Sequence, residues 1–157
     1  MAFSIRSSAF EHGAEIPKQY TGLGADKSPP LTWSDAPAGT RSLALVVEDP
    51  DAPDPAAPKR VFTHWVLYNV PVEARGLDEG LDPSSLPEGA RAGINDFERV
   101  GWNGPKPPIG RHRYFFKLYA LDQELPTLER ATKRDLEHAM KGHVLAETEL
   151  VGTYAKN

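Results

Sequence analysis

The segment Ser42-Leu-Ala-Leu-Val-Val-Glu48 decides the architecture. Its apolar run is unbroken from Leu43 to Val47 and shows no polar alternation. A run of that length reads as a strand buried on both faces. Two more segments have the same character. Val61-Phe-Thr-His-Trp-Val-Leu-Tyr-Asn-Val70 and Tyr114-Phe-Phe-Lys-Leu-Tyr-Ala-Leu121 are rich in β-branched and aromatic residues, which suit a pleated, half-buried surface. Phe3–Ser7, Pro30–Trp33 and Ala146–Tyr154 are weaker strand candidates.

One helix is legible. Thr132 supplies an N-cap, Asp135 follows three positions on, and Gly142 supplies the stop, so the pattern predicts a helix over Thr132–Lys141. Asp78–Leu86 reads as a short helical or irregular piece. The expected fold class is therefore mostly β, a sandwich or related sheet architecture with one or two short helices, in one domain over 1–157.

Composition narrows the function classes. The 157 residues carry a net charge of −4 and no cysteine. The absence of cysteine excludes a disulfide framework and a thiolate metal site. The acidic balance argues against nucleic-acid binding, which wants a basic face. No stretch approaches the roughly 18 apolar residues of a membrane span, so no stable membrane insertion is expected. Met1-Ala-Phe-Ser-Ile-Arg6 lacks a basic region followed by a long apolar run; no signal peptide is expected and the default location is the cytoplasm.

The chemistry-bearing residues sit at strand ends. Asp49 follows the first strong strand, His64 lies near the start of the second, and His112 precedes the third. If the neighbouring strands run antiparallel, all three meet at one rim of the sheet. Strict alternation puts His64 on a face with Phe62, Val66 and Tyr68, and His112 on a face with Tyr114, Phe116 and Leu118. Aromatic walls around a few polar groups are the usual make-up of a small-ligand pocket. The loop Gly101-Trp-Asn-Gly-Pro-Lys-Pro-Pro-Ile-Gly-Arg-His112 adds glycines that let backbone approach a ligand and prolines that stiffen it. Against this stand blander readings: each histidine as a structural hydrogen-bonding residue, and Asp49-Pro-Asp-Ala-Pro53 as a simple turn.

Enzyme templates fit poorly. There is no Gly-x-Ser-x-Gly elbow and no His-Glu-x-x-His pair. His138 and His143 straddle Gly142 and do not share a helix face. Asp49, His64 and His112 form a chemically allowed metal triad, but nothing else in the chain calls for a metal, and no metal or cofactor is expected.

Two motifs carry a family resemblance. Glu48-Asp-Pro-Asp-Ala-Pro53 and Gly110-Arg-His-Arg-Tyr114 resemble the paired signatures of the phosphatidylethanolamine-binding protein family. Phe62–Val70 is similar to that family's pocket-histidine strand. Ser28–Trp33, Gly93–Phe97 and His143–Tyr154 resemble its bacterial and archaeal branch, often called Raf-kinase-inhibitor-like. The resemblance implies a large central β-sheet packed on a smaller sheet, with an anion pocket at one edge. It implies Asp49, His64, Gly104, His112 and Tyr114 as ligand contacts, with Asp51, Pro53, Pro105 and Arg113 shaping the walls. It points to Ala52–Pro53 as a cis peptide.

The implied function is binding of a small anion, such as a phosphate, a carboxylate or a phospho-head group. A regulatory or inhibitory role toward a kinase or protease goes with it, and a homodimer is an allowed assembly. Asp49 is expected to fix one histidine's tautomer so that its other nitrogen donates to the ligand. The chain is expected not to be an enzyme. The alternative is a small hydrolase using His112 or His64 as general base.

Overall fold

The computed structural model describes residues 2–155. The strands are β1 (Ser4–Arg6), β2 (Leu31–Ser34), β3 (Ser42–Ala52), β4 (Arg60–Val70), β5 (Gly76–Leu77), β6 (Arg91–Ala92), β7 (Arg111–Leu121) and β8 (Val144–Ala155), with the helix α1 (Lys133–Met140) before β8. A five-stranded antiparallel sheet has the order β6-β4-β3-β7-β8, and a three-stranded sheet the order β1-β2-β5.

The central place of β3 explains its sequence. Leu43, Leu45 and Val47 point to one face, where they pack with Ile5, Leu31, Trp33 and Leu77 of the small sheet. Ala44 and Val46 point to the other, where they meet Leu136 and Met140 of α1. A strand covered on both sides by apolar layers has no position left for an alternating polar residue.

The helix lies where the capping pattern puts it. The Thr132 hydroxyl accepts the Asp135 N–H at 3.1 Å, and the Asp135 carboxylate accepts the Thr132 N–H at 3.1 Å. Gly142 follows in the left-handed region at φ 84°, the backbone geometry that favours glycine after a helix. The 78–86 segment is irregular, built of turns. The two-residue strands β5 and β6 and the 3-10 turn Lys18–Tyr20 are too short to carry a periodic signal.

Two features position the site. β3 pairs antiparallel with both β4 and β7, so the end of β3 and the starts of β4 and β7 share one rim. The β3–β4 ladder also slips there: Val47 opposes Trp65, but Glu48 opposes Thr63. His64 is the extra residue of this β-bulge. A bulge re-aims the side chain it carries.

Candidate ligand-binding site

At the shared rim the main-chain ladder between β3 and β7 runs only to Glu48 and Phe115. Aspartate side chains continue it. Asp51 Oδ2 accepts the backbone N–H of Arg113 at 2.9 Å, and the Arg113 guanidinium donates to both Asp51 oxygens at 3.0 and 2.9 Å. These bonds hold the Asp51 carboxyl below its ordinary range, outweighing burial. Asp49 Oδ1 accepts the Asp51 N–H at 2.7 Å, which turns the carboxylate inward. The following Ala52–Pro53 bond is cis.

Asp49 Oδ2 lies 2.5 Å from His112 Nδ1, and both side chains are almost fully buried. His112 Nε2 lies 2.8 Å from the Ile109 carbonyl. A carbonyl only accepts, so Nε2 carries a hydrogen. Asp49 and His112 then share one further proton and form a net-neutral pair in either placement of it. Burial pushes the Asp49 carboxyl up, against the hydrogen bonds from His112 and the Asp51 N–H. The expected ligand-donating nitrogen of this histidine is therefore spent on Ile109. The Gly110 backbone, at φ 71°, lets the loop turn back so that the Ile109 carbonyl reaches the ring.

His64 behaves differently. Its Nδ1 donates to the Asn103 carbonyl at 2.7 Å. Burial lowers its pKa to about 4, so the ring is neutral near pH 7 and Nε2 is a bare acceptor. Among the described residues Nε2 has no hydrogen-bond partner. The bulge also corrects the alternation expected for this strand. Phe62 does share a side with His64, their ring centroids 5.2 Å apart. Val66 and Tyr68 instead face the helix-side core.

The His64 ring sits in an aromatic cluster, with centroids 5.6 Å from Phe97 and 5.3 Å from Tyr114. His112 stacks on Tyr114 at 6.3 Å and 17°, on the face expected from alternation. Burial, and after it the charges of Asp49 and Asp51, push the Tyr114 phenol well above its ordinary range. Its hydroxyl stays protonated and able to donate.

These side chains surround a cavity of about 280 Å³. Asp49, Pro53, His64, His112 and Tyr114 line it, together with Arg60, Phe62, Phe97, Lys106, Pro107 and Pro108. Arg60 lies over the Phe62 ring and pairs with Asp96 at 3.3 Å. Lys106 is exposed on the opposite loop.

Other residues singled out in the sequence stand behind the wall. The Gly104 N–H donates to Asp26 Oδ1 at 2.7 Å, and a Cβ there would come within 2.3 Å of the Tyr20 carbonyl. Gly104 lies outside the cavity lining, where its lack of a side chain is required by packing. Pro105 accepts from the Gly22 N–H. Asp51 and Arg113 brace Asp49 without facing the cavity.

Sequence reasoning placed Phe62 beside His64 but missed Arg60, Phe97 and Lys106 as wall residues. Phe97 and Asn103 are held by Asn95, which is buried in the loop after β6. Its amide nitrogen donates to the Gly101 carbonyl at 2.9 Å and to Asn103 Oδ1 at 2.8 Å, and its oxygen accepts the Phe97 and Arg99 N–H groups at 2.9 and 3.2 Å. The signal was a buried-type asparagine between apolar and aromatic residues in Gly93-Ile-Asn-Asp-Phe97.

The chain is thus a two-sheet sandwich with a paired carboxylate and imidazole beneath an aromatic cavity at one strand rim. The chain belongs to the phosphatidylethanolamine-binding protein family, whose model matches residues 6–155. It is 45% identical over 154 residues to a UPF0098 protein of Methanothermobacter thermautotrophicus, covering 98% of this chain and 99% of that one. A phosphatidylethanolamine-binding protein homolog from Chlamydia trachomatis superposes with a TM-score of 0.90 at 41% identity, covering 99% of both chains. YbcL of E. coli superposes at 0.89 with 30% identity, over 100% of both chains. A carboxypeptidase Y inhibitor, solved with its cognate proteinase, shares the fold at a TM-score of 0.58 and 13% identity, over 99% of this chain and 84% of that one. No helix among the described residues is long and apolar enough to cross a membrane.

Proposed function

We propose that the chain is a binding protein for a small oxyanion, with a regulatory or inhibitory rather than catalytic role. The observation that carries this reading is the composition of the cavity. Its buried Asp49–His112 pair is net neutral, so the floor does not repel an anion as a bare carboxylate would. Tyr114 offers a hydroxyl donor, and Lys106 and Arg60 place positive charge at the mouth. Phe62, Phe97 and the prolines form apolar walls of the kind that bury a ligand.

An inhibitory role has support at the level of the fold, from the carboxypeptidase Y inhibitor. A hydrolase reading needs a nucleophile beside a base. His64 Nε2 is a free acceptor, but no serine, threonine or cysteine lines the cavity with it.

Calorimetric titration with inorganic phosphate tests the proposal. Wild type should bind, and Tyr114→Phe and Lys106→Ala should each bind more weakly while melting at nearly the wild-type temperature. Equal affinity in all three proteins would place the anion elsewhere.

A further inference from the structure

The long strand β8 is covered along only half of its outer edge. Residues 12–16 run beside its second half. The Gly13 and Ile16 N–H groups donate to the Val151 and Thr153 carbonyls at 2.6 and 2.8 Å. The Thr153 N–H donates to the Ala14 carbonyl at 2.9 Å, and the Val151 N–H to His12 Nδ1 at 3.1 Å. The main chain of Val151 and Thr153 therefore points away from β7. The β7–β8 register is unbroken from Ala155 back to Ala146, so the period of two carries the same orientation to Glu149 and Glu147. Among the described residues nothing pairs with the outward N–H and C=O groups of these two glutamates. The edge thus takes a neighbouring segment at 151–153 and stands open at 147–149, where both glutamates are exposed. Val144 and Leu145, 42% and 44% exposed, lengthen the open stretch.

Charge decides what this edge admits. Glu147 and Glu149 have no ion-pair partner among the described residues. Lys117 stands opposite Glu149, but its amine and that of Lys133 turn to Glu48, at 3.4 and 2.9 Å. Burial, and after it the charges of Glu147, Glu48, Glu137 and Glu149, push the Tyr119 phenol above its ordinary range. A second copy of the chain, pairing here antiparallel, would set glutamate against glutamate, which is destabilising. Charge on an edge strand guards against such self-pairing, and this guard leaves a strand of opposite charge admitted. We propose that the outer edge of β8 over Glu147–Glu149 takes an extended segment of another protein, with basic residues beside the glutamates and apolar residues between them. Main-chain hydrogen bonds supply the affinity and the charge pairs select the segment. The edge lies at the far end of β7 from the anion cavity: His112 pairs with Tyr154, whereas Tyr119 pairs with Glu147. The inference is therefore independent of the reading of that cavity.

Two labelled peptides test this, Lys-Val-Lys-Val-Lys and Glu-Val-Glu-Val-Glu, each acetylated and amidated. Fluorescence anisotropy on the wild-type protein should show the basic peptide binding roughly tenfold or more tightly than the acidic one. Amide hydrogen exchange gives the readout that charge attraction alone does not move. With the basic peptide bound, exchange of the Glu147 and Glu149 N–H groups should slow by roughly tenfold or more. The double variant Glu147→Lys, Glu149→Lys changes only exposed side chains and should melt near the wild-type temperature. Its preference should reverse toward the acidic peptide. Equal affinity of the two peptides for wild type, or no binding at about millimolar peptide, would overturn the proposal. So would binding of the basic peptide with unchanged exchange at Glu147 and Glu149, which reduces the contact to surface charge. The exchange measurement needs no variant, so it decides the matter even if the double variant fails to fold.

Discussion

Asp51 accepts the backbone N–H of Arg113 at 2.9 Å just beyond the point where the β3–β7 main-chain ladder ends. A side chain thus substitutes for the next main-chain carbonyl. The same carboxylate takes the Arg113 guanidinium in a two-pronged grip, which fixes the spacing between β3 and β7. Asp49 and His112 depend on that spacing for their own contact.

Asp51→Ala should therefore cost stability and loosen the site together. Much of the Arg113 side chain is exposed, with 56% of its area open to solvent, so water screens the pair. The expected loss is about 1–2 kcal/mol, most of it from the orphaned Arg113 N–H. The Asp51 carboxyl sits below its ordinary range in the folded state. Its contribution is thus present above the unfolded value of about 3.9 and is lost as the pH falls through the folded value. Urea melts of wild type and variant at neutral and acidic pH should converge on acidification; a constant gap would show that the ionised carboxylate is not the stabilising group.

Acid should also act through His64. The unfolded chain protonates this histidine near 6.5, whereas the folded chain resists until about 4. Between those values the unfolded state binds more protons, so stability falls as the pH drops from about 6.5 toward 4. The full effect is of the order of 3 kcal/mol. His64→Phe removes the titrating group and keeps an aromatic ring among Phe62, Phe97 and Tyr114. Its stability should decline less steeply over this window, and parallel pH profiles for the two proteins would refute the assignment.

Asn95→Ala should unfasten the loop that carries Phe97 and Asn103. Four hydrogen bonds of 3.2 Å or shorter leave with the amide; Asn95 itself is buried, as is the Gly101 carbonyl it serves, while its other three partners are partly buried. A loss of about 2–3 kcal/mol is expected. Phosphate affinity should drop with it, because the Asn103 carbonyl no longer fixes the His64 ring. Hydrogen exchange over residues 95–103 would report the loosening directly; unchanged protection there would rule out this role.

Gly104→Ala separates packing from ligand contact. The added methyl would lie 2.3 Å from the Tyr20 carbonyl and 2.6 Å from Asp26 Oδ1. The backbone must shift, at an expected cost of about 1–3 kcal/mol or more. The melting temperature should fall markedly. A variant that melts like wild type yet fails to bind phosphate would instead make Gly104 a ligand contact.

Much of this arrangement is local in origin, and the sequence by itself determined it. The unbroken apolar run Leu43–Val47 specified a strand covered on both faces, because burial is written into side-chain polarity one residue at a time. Thr132, Asp135 and Gly142 specified where the helix starts and stops, because capping acts within four residues of chain. The positions of Asp49, His64 and His112 at strand ends indicated the rim, given antiparallel neighbours. The tertiary structure decided what lies between these local statements. Only the pairing of β3 with β4 reveals the bulge that turns His64 away from Val66 and Tyr68, since a register slip is a relation between two strands and leaves no periodic mark on either. Only the folded loop brings the Ile109 carbonyl to His112, the Asn103 carbonyl to His64 and Asp26 to Gly104. Those contacts set which nitrogen donates and which accepts, because a histidine's tautomer is fixed by the partner its other nitrogen finds, and the distant partners come from parts of the chain that carry no local sign of their destination.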